Sequence, residues 1–221
     1  PADGLRESHK ITFSMDYFYN EAYLLPLSHD EVVHGKAAIV QKMHGADLER
    51  KFAQARALYM YLFAHPGKKL NFMGNELGHL REWDEAREMD WDLLRFPRHD
   101  AFFHFMRELN GLYLDNPAFY EKDYERDGFQ WIDCQNRTNA VFAFLRRAKR
   151  QTILAVCNFG ETDIQNYELK VPGMGQARLL LYSEWERFGG TVKEAAQEYP
   201  VEQSVVKVDM KGFSGMYMVI E

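Results

Sequence analysis

The periodicity of the chain changes at Asn116-Pro117, and this limits its fold more than any other feature. Before that point apolar residues recur at helical spacing. Leu48, Phe52, Ala55, Tyr59 and Leu62 fall at i, i+4, i+7, i+11 and i+14, which lines one face of a helix over 48–64. Asp47 stands at its N-cap. Pro66-Gly67 ends it, because the residue before a proline is driven out of the helical region. Residues 69–74 read as a short strand. A second amphipathic helix over 100–115 carries Phe102, Phe105, Leu109 and Leu112, with Met106 and Tyr113 beside them. After Pro117 short strands take over, at 128–133, 139–146, 151–158, 164–170, 177–183 and 215–220, with turn signals such as Asn136 to Asn139 and Pro172-Gly173 between them. Their even spacing predicts an antiparallel β-sandwich. Val141-Phe142-Ala143-Phe144-Leu145 is apolar on both faces and predicts a central strand covered from two sides.

The expected fold class is therefore α/β followed by all-β. Two strands and two helices cannot close a parallel sheet, and a (β/α)8 barrel needs eight of each in about 250 residues. Residues 1–117 read as the end of a larger α/β unit, consistent with a first residue that is not Met. Residues 118–221 read as a β-domain with a core of its own.

Composition excludes several classes. The 221 residues are 46% hydrophobic and 27% charged, the balance of a globular chain. No apolar run approaches the roughly 20 residues of a membrane span. The first residues, Pro1-Ala2-Asp3-Gly4-Leu5-Arg6-Glu7, are polar and mixed in charge, unlike a signal peptide. Lys and Arg number 27 against 33 Asp and Glu, a net charge of −6 with no basic block, so no nucleic-acid partner is expected. Arg146, Arg147, Lys149 and Arg150 lie between two apolar runs and read as a charged hairpin turn. Two cysteines, Cys134 and Cys157, do not make a disulfide framework and fit a reducing cytoplasm.

The chemistry concentrates in Leu25-Pro26-Leu27-Ser28-His29-Asp30-Glu31-Val32-Val33-His34-Gly35-Lys36. An apolar approach running into four polar residues is the pattern of a buried barrel strand at its C-terminal end, where catalytic side chains emerge. Three readings stand. His29, Asp30, Glu31 and His34 suggest a zinc site, but two histidines at i and i+5 sit about 140° apart on a helix and on opposite faces of a strand. A plain polar loop is the second reading. The third is a carbohydrate site, in which a carboxylate accepts from two adjacent sugar hydroxyls and an imidazole donates to one.

The segment from Leu25 to Lys36 closely resembles the corresponding part of glycogen branching enzymes, members of the α-amylase superfamily. The resemblance continues in order through Phe52 to Tyr61, His65-Pro66-Gly67-Lys68-Lys69-Leu70, Phe72-Met73-Gly74-Asn75-Glu76, Arg81-Glu82-Trp83, Asp90-Trp91, Arg107-Glu108-Leu109-Asn110, Gly128-Phe129-Gln130-Trp131-Ile132, Asn158-Phe159 and Tyr167. It is weakest over 1–8 and 184–210. It departs at Leu77-Gly78-His79-Leu80, where those enzymes usually carry a Phe-Ala-Gln-Gly-like run, which bears on acceptor contacts.

The resemblance implies the C-terminal end of a (β/α)8 TIM barrel over 1–117 and a C-terminal β-sandwich over 118–221. It implies that Asp30 is the third catalytic carboxylate, holding the 2- and 3-hydroxyls of the reacting glucose, with His29 donating to the same hydroxyls. Glu31 and Lys36 would line the cleft or belong to a solvated loop. Glu76, past the end of the last barrel strand, would contact ligand or make a loop salt bridge. Trp83 and Trp91 could stack on glucose faces, with a buried structural residue the favoured reading for Trp91, and Trp131 and Trp185 read as packing in the sandwich. The implied partner is an α-glucan such as glycogen or amylose, with no metal and no cofactor. The implied reaction cleaves an α-1,4 bond and transfers the chain to a 6-hydroxyl through a retaining glucosyl-enzyme. Retention needs two more carboxylates, a nucleophile and an acid/base, which that superfamily carries earlier in the barrel. The chain is therefore expected to be inactive alone and to complete itself with the preceding part of the same enzyme. Another hydrolase of the superfamily and a non-catalytic glucan-binding module are the alternatives.

Overall fold

A computed structural model describes residues 9–136, 138–173, 175–195 and 197–221, so the reading of residues 1–8 lies outside the described residues. Helix α1 (His9–Tyr17) leads into strand β1 (Leu24–Leu27), and a single turn, α2 (Ile39–Lys42), precedes the long helix α3 (Leu48–Ala64). The Asp47 carboxylate accepts from the backbone N–H groups of Glu49 and Arg50 at 3.2 Å each, the cap that its position implies. Helix α4 (Pro97–Asp115) begins three residues before the expected start, since Pro97 suits the first helical turn, where no intrahelical N–H is needed.

Strand β2 (Lys68–Asn71) pairs in parallel with β1, from Leu24 beside Lys68 to Leu27 beside Asn71. It is shorter than the expected 69–74, because Gly74 turns left-handed at φ 91° and starts the 3-10 turn Asn75–Leu77. The expectation of a buried strand leading into Ser28 needs correction: both strands alternate between exposed and half-buried positions, and Leu24 is 57% and Leu70 39% exposed. Leu24, Pro26, Lys68 and Leu70 share one exposed face of the pair, and among the described residues no third strand joins it.

The β-region contains β3 (Phe129–Asn136), β4 (Val141–Arg147), β5 (Thr152–Asn158), β6 (Ile164–Lys170), β7 (Gly175–Tyr182), β8 (Glu198–Val201), β9 (Val205–Met210) and β10 (Ser214–Ile220). Six of them form one antiparallel sheet in the order β3-β4-β5-β10-β7-β8, and β6 and β9 form a second, smaller sheet. Strands β4, β5 and β10 are buried on both faces, as the apolar run at 141–145 predicts.

What covers them differs from the expectation of a core owned by the β-region alone. Helix α3 lies directly on β5 and β10, and residues from Val32 to Met218 form one hydrophobic core. The Tyr217 hydroxyl donates to the carbonyl of Met60, and Gly215 lies so close beneath α3 that a Cβ there would sit 2.7 Å from Met60 Cβ. Arg146, read as part of a hairpin turn, is fully buried in β4. It donates to the carbonyl of Ala64 at 2.6 Å and to Asp123 at 2.7 Å, because the last turn of α3 leaves a carbonyl without a helical donor. Trp91 is 52% exposed rather than buried. Trp185 is buried, and Trp131 is half-buried against Phe129 and Phe144. Cys134 and Cys157 are both free thiols.

Candidate functional site

The parallel pairing of β1 and β2 brings the loops that follow them to the same edge. A bond from the Phe72 N–H to the Leu27 carbonyl, 2.8 Å, carries the pairing just past the strands. The chain then turns at Ser28, whose hydroxyl accepts from the Asp30 N–H at 3.3 Å and caps the 3-10 turn His29–Val32. His29 and Asp30 emerge side by side, 3.5 Å apart from Nε2 to Oδ1, with side chains 53% and 68% exposed. That separation exceeds a good hydrogen bond, which leaves the polar atoms of both side chains free to meet a ligand.

An aromatic floor supports them. The His29 ring lies 5.8 Å from Phe72 and 6.2 Å from Trp83, and Trp83 meets Phe72 edge-on at 5.2 Å. Trp83 is thus half-buried and stands next to His29. Lys36 donates to the main-chain carbonyl of Asp30 at 2.7 Å, and Lys42 pairs with Glu31 at 3.3 Å. Lys36 therefore braces the loop from within. Glu31 has a cationic partner and remains about half exposed. Glu76 sits in the turn between the left-handed Gly74 and Gly78, half-buried, with no hydrogen-bond or ion-pair partner among the described residues. Beneath it Asn71 accepts from the Tyr59 hydroxyl at 3.0 Å and from Asn75 at 3.2 Å.

The loop after β2 is pinned by its own charges. Arg81 grips Asp90 through Nε at 2.6 Å and through its NH2 group at 3.1 Å, which holds the Asp90 carboxyl below the usual range. Glu82 accepts from the backbone N–H groups of Ala37 at 2.7 Å and Gly35 at 3.0 Å, and those bonds lower its own pKa. The Trp83 N–H donates to the Val32 carbonyl at 2.9 Å. Sequence reasoning had no signal for the Glu82 contacts, because they join residues 45 and 47 positions apart.

Five of the six expected contact residues, His29, Asp30, Glu31, Lys36 and Trp83, lie in one knit of two loops, and Glu76 follows the same strand end as Trp83. None of the six lines the open cavity of about 620 Å³ in the β-region, which Asp163, Tyr182, Tyr199 and Lys211 border. Among the described residues no group of three or more His, Cys, Asp or Glu could hold a metal ion, and no helix is long and apolar enough to cross a membrane.

Residues 131–219 match the family described as the alpha amylase C-terminal all-beta domain. Over 185 residues the chain is 45% identical to the 1,4-alpha-glucan branching enzyme GlgB of Oceanobacillus iheyensis, covering 83% of this chain and 29% of that protein. It is 44% identical to the enzyme of the same name from Bacillus cereus over 184 residues, 82% of this chain and 28% of that one. Over most of its length the chain is similar to 1,4-alpha-glucan branching enzymes. It spans less than a third of the length of these relatives. The crystal structure of an AmyP variant in complex with maltotriose aligns with a TM-score of 0.58 at 13% identity, over 78% of this chain and 35% of that one, a likeness of fold.

Proposed function

We propose that this chain is the C-terminal part of a 1,4-alpha-glucan branching enzyme. In this reading residues 1–117 close a (β/α)8 catalytic barrel and residues 118–221 form its β-sandwich. One observation carries it: His29, Asp30, Trp83 and Glu76 all follow the C-terminal ends of a parallel strand pair, the end at which barrel enzymes carry their chemistry. The open inner face with Leu24 and Leu70 supports the same reading, since strands from the preceding part of the enzyme would cover it.

The roles follow from side-chain chemistry. The Asp30 carboxylate accepts from the 2- and 3-hydroxyls of a glucose unit, and the His29 imidazole donates to one of them. Bonds to the 2-hydroxyl tighten as the ring approaches the oxocarbenium-like transition state, so Asp30 acts chiefly on turnover. Trp83 offers an indole surface to the apolar face of a sugar, and Glu76, without a hydrogen-bond or ion-pair partner among the described residues, is available to an acceptor chain. The nucleophile and the acid/base, about 5–5.5 Å apart in retaining enzymes, come from barrel strands outside this chain. The α-1,4 bond is cleaved to a glucosyl-enzyme, and a 6-hydroxyl of a second glucan attacks in place of water. The proposed partners are an α-glucan and the rest of the same enzyme, with no cofactor. The proposed compartment is the cytoplasm, in keeping with two free thiols.

A glucan-binding module without catalysis is the weaker reading, because Trp131 and Trp185 are occupied in packing and offer no exposed platform. The test incubates this 221-residue chain with amylose and follows iodine absorbance and α-1,6 linkages. No turnover is expected; sustained turnover overturns the reading. In the full-length protein, linkage analysis of the product separates branching from hydrolysis.

A further inference from the structure

The loop that follows the His29–Val32 turn adopts a conformation that its own residues do not favour. His34 at φ 59°, Gly35 at φ 79° and Ala37 at φ 64° all lie in the left-handed region. Glycine enters it freely, but in a residue with a Cβ that atom crowds the following carbonyl oxygen there, so something outside the loop must hold it. Within the loop, the Lys36 N–H bonds the Val33 carbonyl at 3.2 Å and the Lys36 ammonium bonds the Asp30 carbonyl at 2.7 Å, and neither bond holds the amides of Gly35 and Ala37.

The partner that completes it is Glu82. The two N–H groups on either side of Lys36, those of Gly35 and Ala37, converge on its two carboxylate oxygens, Oε2 and Oε1. Backbone N–H groups gathered on one anion form a nest, and the charge of the carboxylate makes both bonds stronger than neutral ones. Glu82 is itself fixed on both sides: Arg81, locked to Asp90, donates to the Glu82 carbonyl at 3.2 Å, and the Trp83 N–H is bonded to Val32. Lys36, held between the two clamped amides, reaches back to the carbonyl of Asp30.

We propose that Glu82 is the positioning residue of this site: by clamping Gly35 and Ala37 it fixes Lys36, and through Lys36 it sets where the Asp30 carboxylate stands. Glu82 does not touch the sugar. The inference rests on the reading of Asp30 as the group that holds the glucose hydroxyls.

The test is made in the full-length protein that carries this chain. In Glu82→Gln one amide N–H faces another donor, so one clamp bond is lost with little change in volume. Hydrogen exchange at Gly35 and Ala37 should speed up at least tenfold. Turnover on amylose should fall about ten- to a hundredfold, since a misplacement near 1 Å costs about that much, with KM changed less than threefold. Glu82→Asp keeps the charge but reaches only one N–H, and its turnover should lie between the other two. This variant also serves if Glu82→Gln does not fold. A merely structural role would lower the melting temperature and leave the turnover of folded enzyme unchanged. Unchanged exchange at the two amides overturns the proposal, as does accelerated exchange with turnover near wild type. Asp30→Asn is measured alongside. If that variant keeps full turnover, the reading of Asp30 itself has failed. If it is inactive while Glu82→Gln is normal, only the positioning role has failed.

Discussion

Arg146 and Asp123 form an ion pair at 2.7 Å in which neither side chain is more than 1% exposed. The other oxygen of Asp123 takes Lys68 of β2 at 3.1 Å, and Arg146 also donates to the end of α3. One carboxylate thus links the parallel strand pair, the long helix and the large sheet. Removing one partner of a buried pair leaves the other charged and unpaired, which costs about 3–5 kcal/mol, whereas an apolar replacement of both is often tolerated. Asp123→Ala should lower unfolding free energy by about that amount in urea titrations, and Asp123→Ala with Arg146→Met should recover much of it.

The shared core makes a second prediction. Gly215 leaves room for α3, and a methyl group there meets Met60 Cβ. Gly215→Ala should destabilise by about 1–3 kcal/mol through overpacking. Because the closest contact is with Met60 Cβ, Met60→Gly in the same chain, which removes that atom, should show coupling: the double variant loses less than the sum of the two single losses, measured by the same titration. Additive losses would mean that α3 does not rest on β10 at this point.

Much of this architecture was legible in the sequence, for reasons that can be named. Residues 48–64 carry one apolar stripe between a capping Asp47 and the Pro66-Gly67 stop, and all three local signals agree with the helix that forms. The strand at 141–145 was legible because it is apolar on both faces. Arg146 departs from the charged-turn reading because a charge at a strand end ordinarily meets water, whereas here Asp123, the end of α3 and the Gly128 carbonyl, all distant in sequence, make its burial tolerable. Strand β8 was missed because Glu198-Tyr199-Pro200-Val201 is short and contains a proline. Strand β9 was missed although Val206, Val208 and Met210 alternate inward, because it lies in a stretch with weak turn signals. In the site, the motif from Leu25 to Lys36 drew attention to His29 and Asp30, whereas Glu82 is defined by what faces it in three dimensions.

A pH dependence follows from His65. Burial pushes its imidazole down to about 4 from an ordinary 6.5, while Nδ1 lies 2.8 Å from the Pro66 carbonyl and Nε2 lies 3.0 Å from the Ser14 hydroxyl. The folded protein keeps this ring neutral, and below pH 6.5 the unfolded chain takes up a proton that the folded one refuses. Its contribution is complete above pH 6.5 and is lost as pH falls toward 4, by about 3 kcal/mol at most. Unfolding free energy measured against pH should therefore fall more steeply between 6.5 and 4 in wild type than in His65→Phe. Parallel curves would contradict the assignment.

The proposed role of Asp30, just past the end of β1, is to grip the sugar as the transition state forms. Its most direct test is the rate at which the full-length protein makes α-1,6 linkages from amylose, wild type against Asp30→Asn, with the melting temperature taken on the same samples. Bonds to the 2-hydroxyl are worth several kcal/mol at the transition state, so the variant should lose about 10²–10³-fold in turnover while its melting temperature stays close to that of wild type. A folded Asp30→Asn protein that branches amylose at nearly the wild-type rate would contradict the claim.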